Sequence, residues 1–174
     1  SMVTTTPPTP PTAGRNGVPG GPARSNFSFV RYVWPTAYEE CLKVERFVDA
    51  DPVISCFYAR KVLERVVSHI WVLRNLGDSR DFSLAQMTRD RAFTDCVDNQ
   101  TMLRKMTLLR KSGNDAAHAD DMEGKQAPTS PQRARKAAAH LYDLMAWAVR
   151  YHSANPQAAP GPQAAFDTNL LGQA

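Results

Sequence analysis

The stretch "DPVISCFYARKVLERVVSHIWVLRNLG", Asp51 to Gly77, decides the fold. Asp51 can cap a helix and Pro52 suits its first turn, where a missing N–H is no loss. Cys56, Leu63, Val67 and Ile70 recur at helical spacing, and Phe57, Val66, Trp71 and Leu73 broaden that face. Gly77 is the expected stop. A helix so apolar must be central and mostly buried.

Working outward, the same signals recur. "WPTAYEECLKVERFVDADP" predicts a helix with Pro35 near its start and stop signals from Asp49 to Pro52. "FSLAQMTRDRAF" predicts one shorter helix capped by Ser83. In "DNQTMLRKMTLLRK", Met102, Met106 and Leu109 share a face beside Leu103, with Gly113 as the expected stop. "SPQRARKAAAHLYDLMAWAVRYH" predicts the last long helix, with Ser130 as cap and Ala137, Leu141, Leu144, Ala148 and Tyr151 as its buried stripe. About five helices, no strand pattern and no internal repeat imply an all-α, antiparallel bundle.

The flanks differ in composition. Residues 1–33 hold six prolines with much Gly and Thr, and "NPQAAPGPQAAFDTNLLGQA" closes the chain without a packing pattern. Both are expected to be disordered, because they lack the apolar surface to offset ordering entropy. The domain reading is therefore a Pro/Gly-rich tail over 1–24, a helical bundle over 25–154, and a tail or linker over 155–174. Ser1 before Met2 reads as the remnant of an expression tag.

The net charge is +4 over 174 residues. Arg15, Arg24 and Arg31 stand in the first 33 residues and Asp167 in the last 20. Between them remain 18 basic and 16 acidic residues, a net of +2. That is not the basic face of a dedicated duplex-DNA binder. Cys41, Cys56 and Cys96 form no CxxC pair, which suits a reducing cytoplasm and gives no zinc site. No apolar run is long enough to span a membrane and no signal peptide is recognised, so a cytoplasmic protein is expected. No cofactor or metal is expected either. The acidic run Asp120, Asp121 and Glu123 is too weak a pattern for a metal, and no glycine loop for cradling nucleotide phosphates is present.

Two polar features interrupt the apolar pattern. Arg60 continues the buried stripe of its helix, and Glu64, one turn on, is its nearest counter-charge. "LLRKSGNDAAH", Leu108 to His118, brings Arg110, Asn114 and His118 together at an expected helix end. Each has a plain explanation: Arg110 favours a helix C-terminus, Asn114 a turn, and His118 a core edge. A basic side is formed by Arg104, Lys105, Arg110 and Lys111, with Arg133, Arg135 and Lys136 on the last helix. These are candidate phosphate contacts, although a solvated surface is the plainer reading. Trp34, Trp71 and Trp147 read as core anchors, with Trp147 a candidate for a dimer seam.

"SNFSFV", "DPVISCFYARKVLERVV" and "LLRKSGNDAAH", in that order, resemble the HEPN-like helical domain at the N-terminus of type I restriction endonuclease motor subunits and related standalone proteins. The resemblance covers about residues 25–152. It implies a helical bundle that dimerises, attached to a larger motor polypeptide or encoded alone. Its expected role lies in restriction or defence, with RNA or DNA as partner, and Phe27 and Phe29 would anchor the opening segment. In catalytic relatives an arginine and a histidine build a metal-independent ribonuclease site. By that likeness Arg110 would stabilise charge on phosphorus and His118 would move the proton. Arg60, Glu64 and Asn114 would hold the loop in place. The sequence departs from the catalytic pattern in its wide Arg110–His118 gap and in Lys111. The favoured expectation is therefore a non-catalytic interaction module in which Arg60, Glu64, Asn114 and His118 form a polar network. The ribonuclease is the alternative.

Overall fold

A computed structural model describes residues 24–118 and 129–173. Six helices follow in order: α1 (Pro35–Phe47), α2 (Pro52–Leu73), α3 (Leu84–Arg89), α4 (Arg91–Val97), α5 (Gln100–Ala117) and α6 (Pro131–His152). Short 3-10 turns lie at Ser28–Val30, Pro156–Ala158 and Thr168–Leu170. The described residues contain no strand, and none of their helices is long and apolar enough to cross a membrane. The fold is all-α, as expected.

Caps explain most of the boundaries. The Asp51 carboxylate accepts from the Ile54 N–H, and the Ser130 hydroxyl from that of Arg133, with proline at the first position of α1, α2 and α6. Ser83 and Gln86 form a reciprocal capping box. One helix was expected across "FSLAQMTRDRAF", but Asp90 splits it. Its backbone is extended (ψ 134°) and its carboxylate caps α4 through the Phe93 N–H. The described residues therefore form six helices where about five were expected.

Helix α2 is the hub, packing against α1, α5 and α6. Cys56, Leu63, Val66, Val67, Ile70 and Trp71 are buried. Phe57 and Leu73 are not: they are 46% and 49% exposed, one residue beyond the stripe and in the final turn respectively. The expected stop at Gly77 also moves. α2 ends at Leu73, and Asn75 takes the left-handed conformation (φ 57°) ahead of Gly77. On α6, Tyr151 is 62% exposed, because the buried stripe continues through Met145 and Val149 to His152.

Helices α5 and α6 lie antiparallel. Lys105 pairs with Asp143 at 2.5 Å and Asp115 with Arg133 at 2.6 Å, two ion pairs of one consistent register.

Residues 155–173 depart from the expectation of disorder. Leu171 is buried, the Gly172 N–H donates to the Glu45 carbonyl at 2.8 Å, and Phe166 packs on Tyr142. Asn26 clamps the segment: its amide donates to the Asp167 carbonyl at 3.0 Å and accepts from the Asp167 N–H at 2.7 Å. Glu45 holds Ser25 and Asn26 in turn. Phe27 is fully buried and Phe29 meets Tyr142 edge-on, so both aromatics anchor the opening segment. The tail reading for residues 1–23 lies outside the described residues, as does the acidic run 120–123.

Candidate functional site

Arg60 and Glu64 make the expected i,i+4 ion pair on α2. Their side chains are 30% and 43% exposed, and Arg60 Nε is enclosed without a hydrogen-bond partner among the described residues. Arg60 is pinned from the other side by Gly113 of α5. A Cβ at Gly113 would overlap the Arg60 Cβ and come within 2.6 Å of its Cδ. The expected helix stop at Gly113 is thus overturned: α5 runs through it to Ala117. The glycine serves a close helix–helix approach, not a turn.

This continuity places the other candidates. Arg110 and His118 are eight residues apart on one helix and its cap, about 12 Å of rise and roughly 80° of rotation. Asn114 is half-buried inside the helix, and its carbonyl accepts from the His118 N–H at 3.2 Å. The His118 side chain is exposed. Among the described residues the side chains of Asn114 and His118 make no hydrogen bond to Arg60 or Glu64. The structure joins Arg60, Glu64 and Gly113, and spaces Arg110, Asn114 and His118 along α5.

Three of the seven candidate phosphate contacts are already engaged. Lys105 and Arg133 bridge α5 and α6, and Arg135 makes a two-pronged pair with Asp49 at 2.5 and 2.9 Å. Arg104, Lys111 and Lys136 are exposed and form no ion pair among the described residues.

A polar cluster that sequence reasoning did not single out lies where α2 and α6 end. Arg74, just past α2, donates through Nε and Nη2 to His152 Nδ1 at 3.3 and 3.1 Å, and through Nη2 to the Tyr151 carbonyl at 2.9 Å. The His152 carbonyl receives His69 Nε2 at 2.6 Å. Trp34 packs on the His69 ring at 5.1 Å and Trp147 on the His152 ring at 4.6 Å. Burial, with Arg74 and His69 nearby, pushes the His152 imidazole down to about 4, so it is neutral at physiological pH. Trp34 and His69 also line an open groove of about 760 Å³ with Lys61, Glu64, Arg65 and the exposed Val72. Trp71 is a core anchor as expected, and Trp147 is buried against His152 within the chain.

Sequence reasoning did not single out His69, Arg74 or His152. The available signal was His152 at four residues beyond Ala148, a polar group on a buried stripe. Among the described residues no three His, Cys, Asp or Glu side chains gather as metal ligands would. Comparison with protein-family models, with curated proteins and with solved structures finds no match.

Proposed function

We propose that the chain is a helical interaction module that works by docking rather than by catalysis, serving nucleic-acid processing of the restriction or defence type. The observation that carries this reading is the separation of Arg110 from His118 along an unbroken α5. Eight residues of continuous helix put about 12 Å of rise and roughly 80° of rotation between the two side chains, which speaks against their meeting on one phosphate within a protomer. The His118 side chain is exposed and has no hydrogen-bond partner among the described residues, whereas a general base is held by an orienting contact.

The docking side of the reading is supported by the groove lined by Trp34, His69 and the exposed Val72 together with Lys61, Glu64 and Arg65. The resemblance supplies the partner classes: a second copy of the chain, a larger motor polypeptide, or nucleic acid held by Arg104, Lys111 and Lys136. The test is incubation of the purified chain with labelled single-stranded RNA in EDTA, beside His118→Ala. The expected result is no cleavage by either protein. Cleavage that His118→Ala abolishes would establish the metal-independent ribonuclease instead.

A further inference from the structure

Residues 161–165, Gly-Pro-Gln-Ala-Ala, are all exposed, and the chain beyond them comes back onto the bundle. What returns is a short unit with bonds of its own. The Asp167 carboxylate accepts from the Asn169 N–H at 2.9 Å and opens the 3-10 turn Thr168–Leu170. The Gln173 amide closes on the Asn169 carbonyl at 2.8 Å. These bonds are internal to the unit and are made without the bundle.

The surface that receives the unit recognises it at separate points. Phe166 packs on the Tyr142 ring at 5.4 Å, which Phe29 also meets edge-on. Asn26 reads the backbone of Asp167, donating to its carbonyl at 3.0 Å and accepting from its N–H at 2.7 Å. The Glu45 carboxylate fixes that amide by accepting from Asn26 Nδ2 at 2.9 Å. Thr168 and Asn169 are exposed, and Leu171 is buried again. Gly172 follows at φ 76°, with its N–H on the Glu45 carbonyl. A Cβ there would come within 2.6 Å of the Asp49 carboxylate, which Arg135 holds in place.

Backbone hydrogen bonds for affinity, with spaced side chains seated for specificity, are how peptide-binding domains take a segment of chain. A unit attached at a few points through an exposed connection opens locally, while the helices packed along their length stay closed. We infer that this surface is a peptide-docking site, occupied by residues 166–172 as a tethered ligand. The partner it fits is a peptide of the same pattern: an aromatic residue, an aliphatic one five residues on, and glycine next. The surface shares no residue with the groove at Trp34 and His69, and stands whether or not that groove docks a partner.

The test uses the full chain with a protease site placed in the exposed residues 161–165, and a dye-labelled peptide of residues 165–173. After cleavage, and with the fragment washed out by ultrafiltration, the bundle is expected to keep its helical circular dichroism and to bind the peptide saturably. The uncut chain is expected to bind it about tenfold more weakly or worse, because a short tether presents its own segment at an effective concentration in the millimolar range. A peptide carrying Leu171→Ala is expected to bind about tenfold more weakly through lost apolar burial. Gly172→Ala is expected to do the same, through strain at positive φ and the overlap with Asp49. The inference is overturned if cutting unfolds the bundle, if the fragment cannot be washed out, or if the peptide does not saturate by about 1 mM. It is equally overturned if either peptide variant binds as tightly as the parent.

Discussion

Gly113 of α5 lies against the Arg60 side chain of α2 with no room for a Cβ between them. Alanine there would improve helix propensity by about 1 kcal/mol, but would force two long helices apart at their closest approach. Overpacking of this kind costs about 1–3 kcal/mol, and Arg60 Cβ, the atom in the way, cannot swing aside. The net cost, up to about 2 kcal/mol, is expected to lower the melting temperature of Gly113→Ala by a few degrees, at most about 8 °C in a chain of this size. A melting temperature unchanged or raised would show that the crossing is looser.

His152 links stability to pH. Its folded pKa, about 4, lies below the roughly 6.5 of an unfolded histidine. Between those values the unfolded chain binds a proton that the folded chain refuses, so stability rises with pH. The contribution is complete above about pH 6.5 and is lost as pH falls toward 4. Glu45, raised by burial, works in the opposite direction just above its ordinary range. The difference between wild type and His152→Gln isolates the histidine. Urea unfolding at pH 5 and pH 7 is expected to show the wild type losing on the order of 2 kcal/mol more than the variant. Equal losses would contradict a buried neutral imidazole.

Ion pairing limits any nucleic-acid contact on α5 and α6. With Lys105, Arg133 and Arg135 committed to carboxylates, Arg104, Lys111 and Lys136 remain for phosphates. Three contacts to a single strand give a slope of log K against log salt of about −2. Fluorescence anisotropy with a labelled oligonucleotide at several salt concentrations reads this directly. A slope steeper than about −4 would require the paired cations to break from their partners.

Much of the scaffold was legible from residue order. Asp51, Ser83 and Ser130 announced helix starts, and the Met102–Met106–Leu109 and Ala137–Leu141–Leu144 faces are buried as their spacing implied. What failed was tertiary in origin. Gly113 resembles a stop in sequence, yet its conformation is set by Arg60, 53 residues away. The C-terminal segment has no periodic pattern because it is held at isolated points, Asp167 by Asn26 and Gly172 by Glu45. His152 became visible as a site only through Arg74, which arrives from another helix. Of the candidate residues, the Arg60–Glu64 pair was readable because its partners sit one turn apart, whereas the spacing of Arg110 from His118 depended on whether α5 continued.

That continuity is most directly read from the backbone ¹³Cα chemical shifts and sequential amide contacts of Arg110 to His118. Helical shifts are predicted through Gly113 as far as Ala117, with the change to non-helical values at His118. A switch to coil or turn values at Gly113 would contradict the account, freeing Asn114 and His118 to fold back toward Arg110.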